Sequence, residues 1–269
     1  MMSKRINFHQ TFPPTAEFIT RLMEVCDTGK ALTKEELSEM TGIPTGKSSG
    51  KVEPHICYAE YMGLIKDDCK GGKHELTLTS LGKEILRQDP GMQEKVSTAA
   101  CHSRLSSLYG GAYLWSAMFK DILPRYTRGI GDAELKEETE KLIGQPAKMG
   151  PFFSSYSGMF GNLGLISKKE SKYELLQGTA DKELIYSYAY ALIYEWENKF
   201  PGQTEVTSME LDSLRIAETF GISEKAYYSI LEMLAERDIV HFNRQLMPYT
   251  LYRTHNAEDI IPLLYSELC

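Results

Sequence analysis

The feature that most restricts this chain is that it repeats itself at an interval close to one hundred residues. Gly42-Ile43-Pro44 is followed by Tyr61-Met62-Gly63-Leu64-Ile65-Lys66 and then by Lys73-His74-Glu75-Leu76. Gly144-Gln145-Pro146 is followed by Asn162-Leu163-Gly164-Leu165-Ile166 and then by Lys172-Tyr173-Glu174-Leu175, in the same order and with spacings that agree within three residues. A third, more diverged copy runs from Leu214 through Phe220-Gly221-Ile222-Ser223 to Leu234 and on to Arg237-Asp238-Ile239-Val240. Self-similarity at a fixed period means that one supersecondary unit is used more than once.

The first copy spells out what that unit is. Thr33-Lys34-Glu35-Glu36 is a capping box, Leu37 and Met40 share one face of the short helix it opens, and Gly42 stops that helix. A turn rich in Gly, Pro and Ser runs from Gly42 to Gly50, and a second helix should start near Ser49 or Gly50, with Pro54 tolerated in its first turn. Ile56, Ala59 and Met62 form its apolar stripe, which leaves Glu53, His55, Tyr58 and Glu60 facing the other way. Gly63 ends it. Leu64-Ile65 opens a strand, Lys70-Gly71-Gly72-Lys73 turns it, Glu75-Leu76-Thr77-Leu78 returns with period two, and Thr79–Leu86 predicts another short helix.

Helix, turn, helix and hairpin in this order resemble the winged-helix superfamily, most fully over Glu17–Leu86, less over Asp132–Leu176 and least over Asp212–Tyr252. The resemblance implies a mainly α chain with small β-hairpins, an α+β class of tandem winged-helix modules joined by helical connectors. The expected divisions are 1–88, an N-terminal winged helix; 89–178, a connector and a second winged helix; and 179–269, a connector and an acidic third module. The connectors fall near Met92–Arg128 and Asp181–Phe200; Tyr186, Tyr190, Tyr194 and Trp196 in the second read as packing aromatics rather than base-stacking ones. Phe8-His9-Gln10-Thr11-Phe12, ahead of a Gly-Ile-Pro-x-Gly-Lys winged helix, is similar to an uncharacterised bacterial family found beside sulfur-transfer genes of phosphorothioate DNA modification and phage defence. That likeness implies a defence-linked, DNA-associated protein with no known chemistry of its own.

Charge decides which copies can face nucleic acid. The net charge of −7 argues against a chain that coats DNA by overall attraction. It is distributed unevenly: the first 88 residues are neutral, the next 90 carry +1, and the last 91 carry −8. The objection therefore applies to the third copy, where Glu224, Glu232, Glu236 and Asp238 surround the second helix and a protein partner is the better expectation. The five cysteines, Cys26, Cys57, Cys69, Cys101 and Cys269, are odd in number and scattered, which fits a reducing, cytoplasmic setting. A zinc site from Cys57, Cys69 and His74 is conceivable in space, but no spacing asks for it. The apolar stretch Leu184–Trp196 is too short and too polar to span a bilayer, and the N-terminus shows no apolar signal-peptide core.

In a winged helix the turn before the second helix meets phosphate, so the expected DNA contacts are Lys47, Ser48, Ser49 and Lys51, with His55 on the helix and Lys70 and Lys73 on the hairpin. His74 could join them. The second copy offers Lys148, Lys168, Lys169 and Lys172, while its aromatic helix, Phe152–Phe160, should pack against protein. Glu53 and Glu60 weigh against tight major-groove entry. Gly42–Ser48 is one residue short of a Walker loop and follows a helix rather than a strand, so no nucleotide or other cofactor is expected. The acidic run Asp132–Glu140 reads as a solvated helix face, and Cys101-His102 has no third partner for thiol catalysis. The expectation is a non-enzymatic protein that binds duplex DNA through its first winged helix, as a transcription regulator or the recognition subunit of a modification or defence system. The alternative is a non-catalytic scaffold whose winged helices dock other proteins.

Overall fold

The computed structural model describes residues 6–46, 50–243 and 248–268. After α1 (Ala16–Glu24), the first unit runs β1 (Leu32–Thr33), α2 (Lys34–Thr41), α3 (Val52–Tyr61), β2 (Ile65–Lys70) and β3 (Lys73–Leu78), and α4 (Ser80–Gln88) closes it. A connector, α5 (Lys95–Leu105) and α6 (Tyr113–Ala117), leads to the second unit: β4 (Ile130–Gly131), α7 (Asp132–Ile143), α8 (Met149–Ser157), β5 (Ile166–Lys169) and β6 (Lys172–Leu175). The long helix α9 (Ile185–Lys199) leads to the third: β7 (Glu205–Thr207), α10 (Ser208–Asp212), α11 (Ile216–Thr219), α12 (Glu224–Glu236), β8 (Val240–Asn243) and β9 (Thr250–Arg253), followed by α13 (Ala257–Ile260). The chain is therefore mixed α+β.

The three small sheets share one plan. Their strand orders are β1-β3-β2, β4-β6-β5 and β7-β9-β8, all antiparallel, so in each unit a short opening strand lies against the returning arm of the hairpin. Local chemistry accounts for the pieces. The Thr33 hydroxyl accepts from the Glu36 N–H while the Glu36 carboxylate accepts from the Thr33 N–H, and Gly42 takes the left-handed cap at φ 68°. Gly71 and Gly72 both lie at positive φ, 59° and 76°, which a two-residue turn matched to the strand twist requires. Thr79 caps α4 through the Gly82 N–H.

Two boundaries differ from expectation. Helix α3 begins at Val52, because the Lys51 N–H is spent on the Pro44 carbonyl and Gly50-Lys51 belong to the loop. The third unit begins at Glu205, ahead of Leu214: Thr207 and Glu210 form the same capping box as Thr33 and Glu36. Helices of five and four residues leave too little periodicity to announce it.

A single apolar core runs from Phe8 to Leu264 through all three units, and aromatic rings link it. Phe8 packs on Tyr58 and Trp115; Trp115 packs on Phe152; Phe152 and Tyr156 pack on Phe119; His102 touches Phe119, Tyr156 and Phe220. The Nε2 of His102 lies 2.7 Å from the Thr219 carbonyl, which can only accept, so Nε2 carries the proton and Nδ1 accepts from the Tyr156 hydroxyl at 2.8 Å. One side chain of the first connector thus holds the second and third units together. Beside it, the Lys120 ammonium and Glu195 carboxylate, 1% and 3% exposed, meet at 2.9 Å; Glu195 also accepts from the Leu108 N–H, and Arg215 donates to the Lys120 carbonyl. Burial pulls the Lys120 pKa down and the Glu195 charge opposes that.

Burial holds the pKa of three histidines, His9, His55 and His102, down to about 4. Free histidine titrates near 6.5, so the unfolded chain binds protons that the fold refuses, and stability present above about pH 6.5 is lost on acidification. The expected loss is about 3 kcal/mol per ring by pH 4. Histidine NMR titration together with denaturant unfolding from pH 7 to 4 checks this: three imidazoles should stay neutral down to the pH at which the fold gives way.

Candidate nucleic-acid interface

Of the residues expected to meet DNA, Lys47, Ser48 and Ser49 lie outside the described residues. Gly42 caps the end of α2, so the Gly42–Ser48 sequence follows a helix rather than a strand, as expected. Lys51 is half-buried, with its ammonium 5.5 Å from the Phe12 ring centroid and 5.6 Å from that of Phe18. It is thereby held by aromatic faces at the mouth of the loop.

His55 is a correction. Its ring is 0% exposed, packed edge-on against Phe18 and hydrogen-bonded at 2.7 Å through Nδ1 to the Lys51 carbonyl. It reads no base. Tyr58, expected on the same open face, is also 0% exposed, lies against Phe8 and Trp115, and donates to the Phe12 carbonyl at 3.1 Å. The apolar stripe of Ile56, Ala59 and Met62 is buried as expected. What the periodicity could not register is that α3 is covered on a second flank by α1 and by the Phe8–Phe12 segment. Of its side chains only Glu53 is exposed, 3.8 Å from Lys34. Glu60 is half-buried and accepts from the Asp67 N–H at 3.2 Å. Helix α3 is thus enclosed on two flanks, and little of it is left open to solvent.

The hairpins are different. Lys70 and Lys73 are exposed and directly opposite each other in the register of β2 and β3; Lys169 and Lys172 are exposed and directly opposite each other in β5 and β6. Two units therefore end in the same device, a facing pair of lysines framing a tight turn. Lys70 also reaches Asp68 at 2.6 Å, and Lys169 reaches Glu174 at 3.1 Å, both at the surface, where such pairs contribute little and exchange readily. Lys168 lies over Tyr173 and bonds its hydroxyl at 2.8 Å. Lys148 is exposed at the start of α8, where its N–H donates to Asn7 at 2.8 Å. In the third unit the corresponding helix, α12, presents Glu224, Lys225, Tyr228, Ser229, Glu232 and Glu236 to solvent, an acidic face.

The aromatic helix α8 packs into protein, as its sequence suggests: Phe152 and Tyr156 are buried against Trp115 and Phe119. Cys101 and His102 are both in the core, and both ring nitrogens of His102 are occupied by Tyr156 and Thr219. No disulfide joins Cys26, Cys57, Cys69 or Cys101. Instead of Cys57, Cys69 and His74, the residues that converge are Asp67, Cys69 and His74, whose donor atoms all lie within 4.8 Å of one another. His74 is turned away from the hairpin lysines and bonded through Nδ1 to Asp67 at 2.7 Å, a contact that holds its pKa above the ordinary imidazole value against the effect of burial. The missed signal was strand register: Asp67 and Cys69 are two apart on one face, and His74 stands opposite Cys69. Asp67 and Cys69 also border a cavity of about 760 Å³ between this hairpin and the connectors, floored by Arg104, whose guanidinium stacks on Tyr194 at 3.4 Å.

His55→Ala should destabilise the chain by about 2 kcal/mol or more, the cost of a vacated core position. It should leave the salt dependence of any DNA binding unchanged, as read by denaturant unfolding beside gel-shift titration.

No family model matches the chain, and no curated protein matches it. Solved structures do. A magnesium ion-bound SspB matches with a TM-score of 0.70 at 16% identity, over 98% of this chain and 88% of that one. A second SspB structure matches with a TM-score of 0.69 at 17% identity, over the same shares of each chain. At such identities the likeness is one of fold. No helix among the described residues is long and apolar enough to cross a membrane.

Proposed function

We propose that this chain is a non-enzymatic, DNA-associated component of a phosphorothioation-linked modification or defence system, built from three tandem winged-helix units and acting in the cytoplasm. Two observations support the setting. The Phe8-His9-Gln10-Thr11-Phe12 segment resembles a family of that context, and the fold is shared with SspB, a phosphorothioate-modification-associated protein.

The observation that carries the reading is the repeated pair of facing lysines, Lys70 with Lys73 and Lys169 with Lys172, at the ends of two hairpins. In this reading the hairpin ends grip duplex phosphates, with Lys148 and Lys168 contributing, Lys47, Ser48, Ser49 and Lys51 are further phosphate contacts, and α3 reads no sequence. Contacts of this kind position a protein on DNA without specifying bases. The acidic face of α12 serves a protein partner of the same system. The described cluster of possible ligands, with a thiol and an imidazole in it, is not the shell of oxygens that magnesium prefers. A second reading, a scaffold that docks proteins only, is favoured by the enclosure of α3 and by the acidity of α12.

Gel-shift titration over a range of salt separates the two. Replacing Lys70, Lys73, Lys169 and Lys172 by alanine should weaken duplex binding alike for every sequence and lower the slope of log affinity against log salt by about 0.9 for each phosphate contact removed. An unchanged slope, or no binding by the unaltered chain, would leave the scaffold reading standing alone.

A further inference from the structure

We propose that Asp67, Cys69 and His74 form a binding site for a zinc-class divalent cation across the hairpin of the first unit. The site stands on the ladder and not on the DNA reading. Strands β2 and β3 place Cys69 directly opposite His74, with Asp67 two residues earlier on the same side, so three different donor types converge within 4.8 Å.

The Asp67 side chain is only 8% exposed, and its Oδ1 is buried with no hydrogen-bond partner. A buried carboxylate with one oxygen unsatisfied is costly, and a cation held by that carboxylate, whose two oxygens share one delocalised charge, offsets the cost. The other oxygen, Oδ2, is 2.7 Å from His74 Nδ1. Cys69 is exposed, which gives the ion a path in and leaves a fourth position facing water.

A tetrahedral ion with bonds of about 2.0–2.3 Å sets its donors roughly 3.3–3.7 Å apart. Nδ1 and Oδ2 must separate by less than about 1 Å, and Sγ must approach by about as much, movements within the reach of side-chain rotation. The Nδ1–H that donates to Oδ2 must leave for the metal to bind there: in a neutral ring the proton is re-placed on Nε2 by exchange with solvent, and in a charged ring it is released while Nε2 keeps its own, the Sγ proton going to solvent in either case, so that two metal bonds replace the hydrogen bond. Thiolate and imidazole select zinc, or cobalt in its place, over magnesium or calcium. The ion would tie the two hairpin strands together below the turn that carries Lys70 and Lys73.

Cobalt titration of the reduced protein tests this. The expected result is one equivalent bound, with a thiolate-to-cobalt charge-transfer band and the visible bands of a four-coordinate ion, all displaced by zinc. Cys69→Ser should abolish the charge-transfer band, Asp67→Asn and His74→Gln should each weaken binding about tenfold or more, and Cys57→Ser should change nothing. Circular dichroism of each variant confirms the fold. The proposal is overturned if the unaltered chain shows no such band, if the band survives Cys69→Ser, or if Asp67→Asn and His74→Gln both leave the affinity unchanged.

Discussion

The hydrogen bonds of His102 hold together parts of the chain far apart in sequence. From a connector helix, its ring donates to the Thr219 carbonyl in the third unit and accepts from the Tyr156 hydroxyl in the second, inside a cage of Phe119, Phe160 and Phe220. The bond from Tyr156 does not survive protonation of the ring, because a charged imidazole has no acceptor for its hydroxyl, whereas Nε2 still donates to Thr219. The aromatic column continues through Phe152 and Trp115 to Tyr58 and Phe8 in the first unit. Three repeats that could have been beads on a string are therefore one packed body. The buried Lys120–Glu195 pair adds directional specificity to packing that apolar contact leaves non-directional.

That union has a consequence for function. A helix that supplies Tyr58 and His55 to the shared core cannot also be an open reading head, so the surface available for a charged partner shifts from α3 to the hairpin ends. The N-terminal segment enforces the shift. Phe8 and the Phe12 carbonyl hold Tyr58, while Asn7 bonds both the Pro146 carbonyl and the Lys148 N–H in the second unit. The pentapeptide that resembles a family signature, together with Asn7 just ahead of it, is in physical terms a strap across two units.

Sequence alone was most informative where the chemistry is local. The capping box at Thr33, the stop at Gly42, the glycine turn at Gly71-Gly72 and the interval of the repeat each depend on neighbouring residues, and each is read directly. It was least informative where burial comes from outside the element. Nothing near His55 or Tyr58 reveals that α1, Trp115 and the strap will cover them, because helical periodicity reports one buried face and α3 has two. The convergence of Asp67, Cys69 and His74 was hidden for a related reason: it depends on which residues face each other across a hairpin, and a shift of one residue would disperse it. The third unit was half-seen because its Thr207–Glu210 cap, equivalent to Thr33–Glu36, introduces helices too short to show a period.

Enclosed helices and exposed hairpin ends divide the labour in this protein. Amide hydrogen exchange of the full chain, with and without a duplex DNA, measures that division directly. Protection should appear at residues 70–73 and 168–172, while α3 exchanges slowly in both states and gains nothing from DNA. New protection confined to α3 or to the acidic face of α12, with the hairpin ends unchanged, would contradict it.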